Sequence, residues 1–192
     1  IRGREIEIDR AILDQLAEPL LHLLRNAVDH GLEPPEERRA RGKPERGRLL
    51  LQAARERSSV VIRVEDDGRG VSRARIAERA RAAGLIPDGA PAELSDEELL
   101  RLMSRPGFST AEKVTEISGR GVGLDVVVNT VRRLGGALEM RTEEGRGTRF
   151  TLRLPLTLAV IQALRVQIGG ETYAIPLTHI AEAVELGTEM VG

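Results

Sequence analysis

The chain contains no cysteine, which excludes disulfide staples and thiolate metal sites and permits a reducing compartment. It also lacks an excess of either charge. Lys and Arg number 29 against 30 Asp and Glu, leaving a net charge of −1. That balance argues against a nucleic-acid partner held by overall basicity. No apolar run approaches the length of a bilayer span, so no membrane insertion is expected and a cytoplasmic location is. Lysine is scarce, with only Lys43 and Lys113, and histidine is confined to His22, His30 and His179. At 192 residues the chain suffices for one complete core and part of another. Ile1 falls inside a strand-like alternation, and the chain reads as a piece of a longer one.

Periodicity predicts the elements. Arg4 to Asp9 ("REIEID") alternates as a half-buried strand, and Asp9 is placed to cap the next helix. Helical spacing runs from Ile12 to His30, with Pro19 expected in a first turn or at a break between two helices. Gly31 is expected to stop the helix. Glu33 to Gly47, charged and rich in Pro and Gly, reads as a surface connection. Strands follow at 48–55 and 60–65, then helices at 72–83 and 95–104, the latter opened by a Ser95/Glu98 capping box. Arg105 to Gly123 reads as a glycine-rich lid or loop, Leu124 to Leu134 as a helix, and Ala137 to Leu156 as a hairpin turning at 144–147. This order indicates an α+β sandwich with helices on one face of an antiparallel or mixed sheet. A second hairpin with Gly169-Gly170 at its tip starts a further unit, with the boundary near 154–158.

Three polar clusters carry the chemistry. In His22 to Gly31 ("HLLRNAVDHG"), a turn of about 100° per residue gathers His22, Asn26, Asp29 and His30 on one side. Leu20, Leu23, Leu24, Ala27 and Val28 are expected opposite them. The polar side is either an idle face or a site. Asn26 offers an amide oxygen of the kind that suits Mg²⁺, an ion that retains waters and takes phosphate oxygens. In "EDDGRG", Asp66 ends an apolar strand and precedes Gly68 and Gly70. An ionised carboxylate only accepts hydrogen bonds, so in a closed pocket it selects an N–H donor such as the exocyclic amine of adenine. The glycines let backbone pass close to a flat ring; the alternative is an ordinary Asp-Gly turn. In "GRGVGLDVVV", Gly119, Gly121 and Gly123 lead into a helix start, whose free N–H groups suit phosphate oxygens. The spacing is neither a Walker loop nor a dinucleotide fingerprint. A zinc site lacks a completing ligand set. Together the clusters suggest an ATP–Mg²⁺ pocket without a P-loop.

In chain order, "HLLRNAVDHG", "DDGRG", "PGFST", "GRGVG" and "GRGT" resemble the N, G1, F and G2 boxes and the final glycine motif of a known family. They are similar to the ATP-binding domain of the CheA-type chemotaxis histidine kinases, within the Bergerat or GHKL superfamily. "LPLTLAVIQALRV" and "YAIP" further resemble the opening of the CheW-like regulatory domain. The resemblance implies a Bergerat-type two-layer α/β sandwich at residues 1–154. An incomplete, SH3-like β segment at 155–192 would follow. It implies that Asn26 helps hold Mg²⁺, that Asp66 bonds the adenine amine, and that Thr148 supports the adenine end. His22 would contact the terminal phosphate and assist transfer. Asp29 and His30 would border the nucleotide, with Gly68 and Gly70 beside the base. Phe108 and Ser109 would belong to the lid, and Gly119, Arg120, Gly121, Val122, Gly123 and Leu124 would shape it over the phosphates.

Related ATPases such as gyrase and MutL carry a glutamate base four residues before this asparagine, where His22 stands here. Phosphoryl transfer depends mostly on positioning and charge stabilisation, so transfer to protein is favoured over hydrolysis. The resemblance implies an acceptor histidine on a separate domain, a homodimeric full-length kinase, and an adaptor and chemoreceptor engaged through the C-terminal part. The alternatives are a gyrase- or MutL-like ATPase and a non-catalytic nucleotide-sensing module.

Overall fold

A rank of alternating side chains explains the sheet. The computed structural model describes residues 3, 6–87, 94–108, 123–156, 163–176 and 180. Strands β1 (Leu49–Glu56), β2 (Ser59–Asp66), β3 (Ala137–Glu143) and β4 (Gly147–Pro155) form one sheet in the order β1-β2-β4-β3, antiparallel at every pairing. Of the two sheet types expected, the described one is therefore antiparallel throughout. Register places Leu51, Val64, Phe150 and Met140 side by side in one row, and Ala53, Ile62, Leu152 and Leu138 in the next. These rows join the hydrophobic core. The alternate positions carry charge, with Arg149 bound to Glu65 at 2.7 Å and Arg153 bridging Glu56 and Glu139. One face of the sheet is apolar and the other is salt-bridged, as a two-layer sandwich requires.

The helices supply the second layer. They are α1 (Arg10–Asn26), α2 (Pro35–Ala40), α3 (Arg73–Ala82), α4 (Asp96–Met103) and α5 (Leu124–Arg133). Asp9 caps α1 by accepting from the Ala11 N–H, and Ser95 and Glu98 form the expected capping box on α4. In α1 the buried stripe is Ile12, Leu16, Pro19, Leu23 and Ala27. Leu20 and Leu24 are half-buried, and Val28 is 56% exposed rather than part of that face. On the wheel Val28 lies about 140° from Leu23, beyond the reach of so narrow a stripe.

Several expectations are corrected. Pro19 neither starts nor breaks α1 but sits buried inside it, where it denies the Gln15 carbonyl its usual helical donor. Residues 6–9 form no strand; Ile6 and Ile8 pack on the core without joining a ladder. Residues 33–47 are not merely a surface connection, since they contain α2, opened by Pro35, and bury Glu33 and Arg38.

The chain divides into two compact units, Ile1–Leu158 and Ala159–Gly192. Within the second, β5 (Ala163–Ile168) pairs antiparallel with β6 (Glu171–Pro176). Gly169 and Gly170 both take positive φ, as a tight hairpin turn demands. Leu164, Ile168, Tyr173 and Ile175 are exposed on this hairpin.

Candidate functional site

The rows of core residues end in a polar rank. One register step beyond Val64, Phe150 and Met140 lie Asp66, Thr148 and Thr142, adjacent on β2, β4 and β3. All three are at least nine-tenths buried. Thr142 Oγ1 donates to the Gly147 carbonyl at 3.2 Å and accepts from the Val71 N–H at 2.9 Å. Its proton is thus committed, so the Thr148 hydroxyl donates across the 3.1 Å gap between the two oxygens. Thr142 had no signal in the sequence beyond its place in an alternating strand.

Asp66 Oδ1 accepts from the Gly68 N–H at 2.9 Å. Burial pushes its carboxyl above the usual range. Backbone N–H groups of Gly68 and Thr148 oppose that rise, and the charges of Asp67 and Glu33 add to it. Small residues close the floor around it. A Cβ on Gly31 would stand 3.3 Å from the Asp66 carboxyl carbon, and one on Gly68 would stand 2.1 Å from the Gly31 carbonyl oxygen. The two backbones therefore touch, and the Arg69 N–H donates to that same carbonyl at 2.8 Å. That clash is why residue 68 is glycine; at Gly31, where the helix ends as expected but without a positive φ, a Cβ would crowd the Asp66 side chain. Gly70 instead abuts the Glu143 carbonyl, against the β3–β4 hairpin.

The contact through Gly31 joins Asp66 to the end of α1. There the last turn, Ala27–Gly31, widens to a π-helix, with the Leu32 N–H reaching the Ala27 carbonyl at 2.8 Å. Such turns recur at functional sites because they re-aim side chains. Here Asp29 and His30 both face solvent. One turn earlier, Asn26 Nδ2 lies 2.9 Å from His22 Nε2. An amide nitrogen only donates, so this ring nitrogen accepts and the proton belongs on Nδ1. Burial lowers the His22 pKa, as does the Arg25 charge; Asp125 and Glu18 oppose the shift and His30 adds to it. The imidazole is neutral at pH 7. With its nitrogen engaged, Asn26 has its amide oxygen left for a hard cation.

The influence of Asp125 on His22 brings in the start of α5, which packs on α1. Gly123 is the N-cap of α5, and Leu124 is its first residue, buried in the core. Phe108 is likewise a core residue, with the Arg79 guanidinium 5.8 Å above its ring. Ser109, Gly119, Arg120, Gly121 and Val122 lie outside the described residues. Among the described residues no group of three or more His, Asp or Glu can hold a metal alone. A metal at Asn26 would need ligands from a bound phosphate and water.

Behind Asp66 lies an ionic cluster that composition gave no reason to expect. Arg38, 1% exposed, donates to Glu33 at 3.0 Å and to Asp67 Oδ2 at 2.9 Å. Lys43 Nζ donates to Glu33 at 2.7 Å, and to the carbonyls of Asp67 and Gly68 at 2.9 and 2.7 Å. Burial alone would raise the Glu33 carboxyl, but Lys43 and Arg38 outweigh it and hold it below the ordinary value. Asp67 is depressed in the same way, its desolvation outweighed by the Arg48 N–H, Arg38 and Lys43.

Comparison with known proteins follows the same residues. The family model described as "Histidine kinase-, DNA gyrase B-, and HSP90-like ATPase" matches residues 12–158. The chain is 46% identical over 95% of its length to a chemotaxis protein CheA of Bacillus subtilis, covering 27% of that protein. It is 44% identical over its full length to a sensor histidine kinase CheAY of Helicobacter pylori, covering 24% of it. To a CheA of Treponema pallidum it is 42% identical, again over the full chain and 23% of the relative. The chain thus spans about a quarter of the length of these curated relatives.

Proposed function

The chain belongs to the histidine kinase-, DNA gyrase B- and HSP90-like ATPase family, and from that premise we propose that it is the ATP–Mg²⁺-binding catalytic domain of a CheA-like protein histidine kinase. The observation that carries this reading is the approach of three sequence-distant clusters at one end of the sheet. Asp66 and Thr148 share a rank, Gly31 ties that rank to the end of α1, and Asp125 at the start of α5 acts on His22.

The residues suit the nucleotide. Asp66 is a buried acceptor beside glycine backbone, matched to the amine of adenine and mismatched to the carbonyl that guanine offers at that place. Thr148 supports the same end. At the other end, Asn26 holds Mg²⁺ through its amide oxygen while Nδ2 stays on His22. When bound, the ion neutralises charge on the phosphate oxygens. Neutral His22 retains an Nδ1–H that donates toward the terminal phosphate. The N–H groups at the start of α5, with Gly119, Gly121 and Gly123 before them, meet the phosphate chain. Asp29 and His30, open to solvent, border the phosphate side.

His22 occupies the place where family ATPases carry a glutamate base toward water. With Nε2 accepting from Asn26 and the proton on Nδ1, this imidazole has no free acceptor for a proton from water, which favours phosphoryl transfer to a protein histidine over hydrolysis. That histidine sits on another domain of the same kinase. The segment from 155 onward begins the part that meets a CheW-like adaptor and a chemoreceptor. The full-length protein acts as a cytoplasmic homodimer. Among the described residues, no helix is long and apolar enough to cross a membrane.

The test combines binding with transfer. ATP should bind with Mg²⁺ dependence and in preference to GTP, measured by calorimetry. Labelled phosphate should pass to a supplied acceptor histidine domain, and none should accumulate on the isolated chain. Steady phosphate release without acceptor would instead identify an ATPase.

A further inference from the structure

Every hydrogen-bonding proton on Lys43 has a partner, and two of the three acceptors are backbone carbonyls of the loop directly after Asp66. We propose that Lys43, with Arg38 behind it, is a positioning residue that aims the adenine-reading carboxylate of Asp66 through the peptide group between Asp67 and Gly68. The inference rests on the reading of Asp66 given above.

The path is short and fully hydrogen-bonded. The carbonyl of that peptide group, Asp67 O, receives Lys43 Nζ at 2.9 Å and Arg38 at 3.2 Å. Its N–H, on Gly68, is the one that donates to Asp66 Oδ1 at 2.9 Å. Cationic donors on a carbonyl polarise the amide and strengthen the N–H at its other end. Lys43 also grips the next carbonyl, Gly68 O, at 2.7 Å, so the peptide plane is held on both sides of Gly68. Neighbouring contacts remove the remaining freedom. Asp67 is pinned by Arg38 on one oxygen and by the Arg48 N–H, at 2.8 Å, on the other. Gly68 is pressed against the Gly31 carbonyl. Glu33, with no exposed side-chain surface, holds Arg38 and Lys43 together from behind.

A cluster that merely riveted the loop would support every nucleotide alike. A cluster that aims Asp66 supports only nucleotides presenting an amine to it. Purine riboside triphosphate, which is ATP without the exocyclic amine, separates the two. The 192-residue chain should prefer ATP over this analogue by about ten- to a hundredfold, the worth of one hydrogen bond to a charged acceptor. Lys43→Met should shrink that preference to about threefold or less while changing the affinity for the analogue by less than about twofold. The Gly68 amide proton, displaced downfield by its bond to Asp66, should move upfield in the same variant. Lys43→Arg should restore most of both. Should Lys43→Met not fold, Lys43→Gln removes the charge while keeping a polar end, and is read in the same way. Equal weakening of both nucleotides, or an unmoved Gly68 resonance, overturns the proposal. Asp66→Asn separates the two levels of the argument. If it leaves the preference intact, the adenine reading falls and this inference falls with it. If it abolishes the preference while Lys43→Met does not, only the positioning role is lost.

Discussion

The base end and the phosphate end of the proposed site are built differently. At the base end Asp66, Thr148, Glu33 and Arg38 are all buried, and the cluster links them to a ladder of backbone hydrogen bonds. At the phosphate end Asp29 and His30 stand in solvent, while half-buried His22 and Asn26 are paired with each other. The difference suits what each end would recognise under the proposed function. A neutral flat base differs from its rivals by one donor or acceptor. Only a dry, fixed group makes a mismatch costly, at about 1–3 kcal/mol for a buried polar atom left unpaired. A triphosphate carries its own charge and can be gripped by solvent-facing dipoles and a cation.

The strongest way to break this comparison is to strip the base end of its support. Arg38→Met would leave the fully buried Glu33 carboxylate with Lys43 as its one remaining cationic partner. Removing one partner of a buried ion pair typically costs about 3–5 kcal/mol. Urea denaturation should therefore show the largest loss of stability in this variant. By contrast Arg149→Ala, which removes the solvent-facing bridge to Glu65, should cost about 1 kcal/mol or less.

The contrast predicts separable losses of function. Asp66→Asn places a donor against the adenine amine, and ATP affinity should fall by at least about a hundredfold in an equilibrium titration, with the fold intact. Asn26→Ala should leave nucleotide binding within about tenfold while abolishing Mg²⁺-dependent transfer to an acceptor domain, read by radiolabel, because its loss falls on positioning in the transition state. Equal losses of binding in both variants would show that the two ends do not divide the work.

The sequence made the ladder legible and the ionic cluster invisible, for physical reasons. Strands β1 and β2 fall within one residue of their expected bounds because half-buried strands alternate. Once the register is known, the rank of Asp66 and Thr148 follows. The same cue misled at residues 6–9, where alternation at Ile6 and Ile8 arises from packing without a ladder. For Glu33 to Gly47, composition cannot tell a solvated charge from a paired one. The partner that decides the matter, Asp67, lies 29 residues from Arg38. The one local clue was Pro35, a favoured first residue of a helix. Thr142 was overlooked because a buried threonine in a strand resembles any other until its neighbours are known. The polar face of α1 was recognisable from about 100° spacing only as far as Asn26, since the π turn breaks that spacing at Asp29 and His30.

The smallest expected effect is also the sharpest on sign, because acid acts oppositely on the two ends. His22 has a depressed pKa, caused first by burial and then by Arg25. In acid the unfolded chain takes up a proton on this residue before the folded one does. Its contribution to stability is therefore full above the ordinary value of 6.5 and is lost as pH falls through the lower folded value. Asp66 is raised by burial, so the folded state binds its proton first and stability contributed at this position grows as pH falls through that raised value. Yet protonation turns the Asp66 acceptor into a donor, so affinity for ATP declines over the window in which its own contribution to stability improves. Urea midpoints across pH should drop less steeply below 6.5 in His22→Gln than in the parent. The groups facing His22 to be held constant are Arg25, Asp125, Glu18 and His30. ATP titrations over the same range should weaken at a higher pH than an ordinary carboxylate would dictate, and Asp66→Asn should remove that dependence. Parallel acid profiles for stability and for binding in the parent would mean that the base end is no drier than the phosphate end.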